Sequence, residues 1–109
     1  MSRRPAMLAL WLGLAAAIPA RAVDPEGPTA AIEISDFAFA PRTLTIAVGT
    51  TVTWRNRDAE PHTVRGAEEV VRSGALDQDE AYSFRFDRPG TYHYGCSIHP
   101  QMSGTIVVQ

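Results

Sequence analysis

Residues 82–108 read YSFRFDRPGTYHYGCSIHPQMSGTIVV, and this stretch decides the fold. Tyr82, Phe84 and Phe86 alternate with Ser83 and Arg85, a period of two that puts aromatics on one face of a strand and polar groups on the other. Pro89-Gly90 marks a turn, and residues 91–96 (TYHYGC) resume the strand pattern. Residues 97–102 interrupt it, and residues 105–108 (TIVV) restore it. Upstream, the same period recurs in residues 31–35 (AIEIS), in residues 43–48 (TLTIAV) ahead of Gly49, and in residues 51–56 (TVTWRN). Short segments rich in β-branched and aromatic residues, cut by turns, predict an all-β chain built as a two-sheet sandwich or a barrel. Residues 66–80 (GAEEVVRSGALDQDE) are the least regular and fit either a short helical turn or a long loop.

A length of 109 residues predicts one domain. Residues 1–22 read as a signal peptide. Arg3 and Arg4 give a positive start, residues 8–18 an uncharged apolar run, and Ala20-Arg21-Ala22 a small-x-small cleavage pattern. The apolar run is well short of the ~20 residues that a membrane-spanning helix needs, which weighs against the alternative of an uncleaved anchor. Arg3-Arg4 also permits twin-arginine export, although Pro5-Ala6-Met7 matches its usual sequel poorly. Residues 23–29 (VDPEGPT) read as a linker and residues 30–109 as the domain.

All 10 basic residues are arginine, set against 12 acids, for a net charge of −2. Without Arg3, Arg4 and Arg21 seven arginines remain, and the balance falls to −5. An acidic domain with no basic run excludes nucleic acid as a partner. It suits either steering toward a basic protein or plain solubility. Glu68, Glu69, Asp77, Asp79 and Glu80 form a candidate acidic face, with an ordinary solvated surface as the simpler reading. Cys96 is the only cysteine and cannot form an internal disulfide. In an exported protein it is an intermolecular link, a buried bystander or a functional thiolate.

Its neighbours separate these options. Residues 96–102, CSIHPQM, place a thiolate, an imidazole and a thioether at three-residue steps across a tight loop. Those ligands suit copper cycling between Cu(I) and Cu(II), and the loop lacks the carboxylates that calcium or magnesium require. A trigonal His₂Cys site with a weak axial Met needs a second histidine, and His62 in EPHTV follows a strand where a loop can cover a metal. Each residue also has a structural reading: a buried hydrophobe for Cys96, surface histidines, core filler for Met102. Only copper accounts for all four together. His93 has the opposite strand parity to Cys96 and is expected to face away from the metal.

The stretches FAFAPRTLTIAVGTTVTWRNRDAEPHTV, SGALDQDEAYSFRFDRPGTYHYGCSIHPQM and GTIVV, spanning residues 32–108, resemble the cupredoxins. Among these they are most similar to the amicyanins, with pseudoazurins and plastocyanins further off; the compact CSIHPQM loop is the amicyanin-like feature. The resemblance implies a Greek-key β-sandwich with one type 1 copper ion. His62, Cys96 and His99 would be the equatorial ligands and Met102 the axial one. It implies a monomeric one-electron carrier, in the periplasm or otherwise exported. Its partners would be redox proteins such as a dehydrogenase, cytochrome or oxidase, docking near His99 on a rim of Ile98, Pro100 and Met102. It further implies that Asn56 ties the two ligand loops together and that the Thr63 N–H donates to the Cys96 sulfur. Copper trafficking or resistance is the alternative. An enzyme is disfavoured, because a fully ligated metal leaves no position for substrate.

Overall fold

The computed structural model describes residues 27–109. The expected signal peptide and residues 23–26 of the expected linker lie outside the described residues. Eight strands follow in order: β1 Thr29–Ser35, β2 Ala38–Ala40, β3 Thr43–Ile46, β4 Thr50–Asn56, β5 Arg65–Gly66, β6 Ala81–Phe86, β7 Gly90–Gly95 and β8 Ser103–Val108. The first strand opens at Thr29, inside the stretch read as linker. Two four-stranded sheets result, ordered β2-β1-β4-β6 and β3-β8-β7-β5. The expected all-β sandwich is present, and no described residue is helical. Both sheets are mixed. β1 runs parallel to β4, with Ile32 opposite Trp54, and β3 runs parallel to β8, with Leu44 opposite Ile106; the other pairs are antiparallel.

The alternation in the sequence becomes the two faces of each strand. Along β4, Thr50, Val52, Trp54 and Asn56 point inward. Val52 and Trp54 meet Ile32, Ile34, Phe86, Tyr94, Ile106 and Val108 in one core between the sheets. Phe84 and Tyr92 pack against its margin. Each fully buried aliphatic or aromatic side chain here contributes about 1.5–3 kcal/mol. Trp54 sits edge-to-face with Tyr94 at 5.4 Å, and burial pushes the Tyr94 hydroxyl up to about 12, so it stays protonated.

Residues 67–80 resolve as a long loop. Its first part is a turn closed by Gly66 N–H to Val71 O at 2.7 Å. It then runs back antiparallel beside residues 62–65, with bridges Arg65–Arg72 and His62–Leu76. Val71, Ser73 and Leu76 are buried beneath it. Three of its five acids are engaged locally: Asp79 pairs with Arg57, Glu69 with Arg72, and Glu80 accepts the Asp77 N–H. The plain solvated surface therefore describes this face better than a dedicated acidic docking site.

Gly104 on β8 lies under the Tyr94 ring, and a Cβ there would sit 2.4 Å from Tyr94 Cζ. The Gly104→Ala variant is expected to lose about 1–3 kcal/mol of stability through overpacking, read as a lower midpoint in denaturant unfolding.

Candidate metal centre

The same alternation carries the chain from core to site. Asn56 ends β4 on the inward face beyond Trp54, and Cys96 follows β7 on the inward face beyond Tyr94. His93, on the other face, is exposed beside Thr105. β7 and β8 form a hairpin whose last pair is Gly95–Ser103, so residues 96–102 are its loop. Gly95 makes this closure possible, because a Cβ would meet the Met102 carbonyl at 2.9 Å. The Met102 N–H donates to the His99 carbonyl at 3.0 Å, which turns the loop back toward the core.

The second strap, residues 57–64, comes from the end of β4. Asn56 organises it: Nδ2 donates to the carbonyls of Glu60 (2.8 Å) and Leu76 (2.9 Å), and Oδ1 accepts the Asp58 N–H at 2.9 Å. None of these partners lies in the Cys96 loop, so Asn56 shapes its own strap and joins it to the 67–80 loop at Leu76 instead of tying the two ligand loops together. That tie belongs to Thr63. Its Oγ1 accepts the Ser97 N–H at 2.8 Å and lies 2.9 Å from Ser97 Oγ. The Thr63 N–H donates to Cys96 Sγ at 3.3 Å, and the Thr63 hydroxyl approaches the same sulfur at 3.8 Å.

These two straps bring His62, Cys96 and His99 to one point. The Nδ1 atoms of the histidines are 3.1 Å apart, and each lies 3.9 Å from Cys96 Sγ. The centre of that triangle is about 2.1 Å from all three atoms, within the ordinary range of metal–imidazole and metal–thiolate bonds. A soft sulfur and two imidazole nitrogens in this arrangement fit copper. Two bare nitrogens at 3.1 Å repel, so a proton or a cation belongs between them. His62 is fully buried, Cys96 buried and His99 partly exposed. Met102, only 3% exposed, packs with the core at the end of the loop. It is therefore absent from the exposed apolar rim expected beside His99. Phe37 (39% exposed) takes that place with Ile98 (44%) and Pro100. The Phe37 ring stands edge-on to His62 at 5.0 Å and to His99 at 4.8 Å.

The electrostatics favour an anionic sulfur. Burial pushes the Cys96 thiol up, but the N–H groups of Thr63 and His99 and the two imidazoles outweigh it and bring it down to about 6. Asp58, whose Oδ2 is 2.8 Å from His62 Nε2, is likewise caught between opposing effects. Burial raises its carboxyl, and hydrogen bonds from Phe37, His62 and Asp36 hold it below the usual carboxylate range. Asp58, Phe37 and the Thr63 side chain carry no periodic or spacing signal in the sequence, and reading outward from the four ligand types misses them.

Comparison with known proteins points the same way. The pattern of the cupredoxin-like domain matches residues 5–108. The chain is 38% identical to amicyanin of Paracoccus denitrificans, covering 89% of this chain and 86% of that protein. It is 40% identical to plastocyanin of Scenedesmus fuscus, covering 65% and 86%. A Cu(I) structure of an amicyanin variant superposes with a TM-score of 0.71 at 34% identity, covering 74% of this chain and 82% of that one.

In the copper-free protein the ultraviolet absorbance of the Cys96 thiolate is expected to appear with a midpoint near pH 6, against about 8.5 for a thiol in the unfolded chain. Between those values the unfolded state binds more protons than the folded one. Stability of the copper-free protein should therefore rise with pH across that window, and this contribution should be lost as pH falls through about 6. A folded-state midpoint near 8.5 contradicts this account of the sulfur.

Proposed function

The chain belongs to the cupredoxin-like family, and on that premise we propose that it holds one copper ion with His62, Cys96, His99 and Met102 and carries single electrons between redox proteins. The observation that carries this reading is the triangle of two Nδ1 atoms and one Sγ, sized for a single ion. Copper bound there supplies a one-electron Cu(I)/Cu(II) couple. His62, Cys96 and His99 would be the strong ligands and Met102 the weak one.

The chain's own groups suit a carrier. The two straps are cross-linked by Thr63 and braced by Asn56, which keeps the ligand atoms in place when the charge at the centre changes. The Thr63 N–H on the sulfur stabilises the thiolate and tunes the potential. His62, Cys96 and Met102 are shut away from solvent, and His99 is the ligand residue that reaches the surface. A partner docking on Ile98, Pro100 and Phe37 therefore brings its own redox centre nearest to His99. Weak redox encounters bury under ~1,200 Å², and a rim of this kind is enough.

Copper trafficking would need ligands open to exchange, and the burial of Cys96 and Met102 argues against it. The reading assigns no catalytic step. It places the protein outside the cytoplasm, on the strength of the signal-like residues 1–22, and has it act as a monomer.

The copper-loaded protein should show strong visible absorption from thiolate-bound Cu(II) and a reversible one-electron couple. The Cys96→Ser variant should lose the colour. The His99→Gly variant should keep copper but slow electron exchange with an external partner. A colourless Cu(II) form, or a coloured form that cannot be reduced and reoxidised, contradicts the carrier role.

A further inference from the structure

Both oxygens of the Asp58 carboxylate are in use. Oδ1 accepts the Asp36 N–H at 2.8 Å. Oδ2 accepts the Phe37 N–H at 2.9 Å and lies 2.8 Å from His62 Nε2. A carboxylate only accepts, so His62 carries its proton on Nε2 and presents a bare Nδ1 to the triangle. The Asp58 side chain is 12% exposed, so water screens little of its charge.

The other end of this contact is equally constrained. Asp36 and Phe37 both have left-handed backbones, φ 55° and 57°, and are the central pair of the turn joining β1 to β2 between Ser35 and Ala38. Such turns favour Asn-Gly, and an aromatic residue in the second position is costly. By accepting both N–H groups, Asp58 holds the turn in that shape. The product is the placement of the Phe37 ring, edge-on across both His62 and His99. One carboxylate thus grips His62 at the nitrogen remote from the triangle and fixes the ring that covers both imidazoles.

We propose that Asp58 is a positioning residue of the copper site, which orients His62, anchors Phe37 over both histidines and favours Cu(II) over Cu(I) by its nearby negative charge. This rests on the copper reading above. Loss of the charge weakens the hold on the more positive ion more than on the less positive one, so the potential rises when Asp58 is neutralised.

The test uses the full copper-loaded protein and its Asp58→Asn variant. The variant is expected to remain coloured and to bind Cu(II) about 10–100-fold more weakly, the usual cost of losing a partner behind a metal ligand. Each tenfold loss for Cu(II) relative to Cu(I) raises the potential by about 59 mV for a one-electron couple. Nitrogen NMR of the Cu(I) wild-type protein should show a His62 Nε2–H protected from exchange with water, and Asp58→Ala, which removes the acceptor altogether, should abolish that protection. An unchanged or lowered potential in the variant overturns the proposal. If the variant does not fold, the wild-type spectrum decides: a His62 Nε2–H exchanging like an exposed imidazole, or a proton on Nδ1, overturns it. A wild-type protein that takes up no copper sinks the carrier reading instead, and the two failures are thereby distinguished.

Discussion

Two imidazole nitrogens and a thiolate-prone sulfur held within 3.1–3.9 Å of one another form the constraint that organises this molecule. Such a group is unfavourable by itself. The nitrogens' lone pairs repel, and a buried sulfur anion has lost its water. The fold offsets this with N–H donors on the sulfur and with straps that cannot relax apart. A soft cation at the centre removes the remaining repulsion. Straps held in this way leave the three atoms little freedom to move, so little rearrangement accompanies a change in the charge of an ion held between them.

Both sheets contribute. β4 of one sheet delivers Asn56 and the strap bearing His62, while the β7–β8 hairpin of the other delivers Cys96, His99 and Met102. The same core that joins the sheets, centred on Trp54 and Tyr94, therefore sets the separation of the two straps. The long 67–80 loop completes the enclosure by pairing Leu76 with the His62 backbone in both directions, at 3.1 and 2.7 Å. This leaves His99 as the candidate ligand at the surface, beside Phe37 and Ile98.

The parts legible in the sequence are those written as local pattern. Period-two alternation marks the six longer strands, places Cys96 inward and His93 outward, and the residue types of the CSIHPQM loop name the metal. β2 and β5 were missed because segments of three and two residues carry no period. The path of residues 66–80 is not legible in the sequence, because its pairing partner, residues 62–65, is set by tertiary position. The same limit applies to hydrogen bonds: the partners of Asn56 differ from those the resemblance implies, and the contacts of the Thr63 side chain and of Asp58 leave no local mark in the sequence. Met102 is buried and not on the expected surface rim, because spacing along a loop does not say which side chains turn inward.

The central claim is that the fold itself builds the copper triangle. The most direct measurement is a pair of crystal structures of this protein, copper-free and copper-loaded. The account predicts one ion about 2.1 Å from His62 Nδ1, His99 Nδ1 and Cys96 Sγ, with these three atoms in nearly the same places in both structures. Copper bound elsewhere, or a copper-free form in which the three atoms stand many ångströms apart, contradicts it.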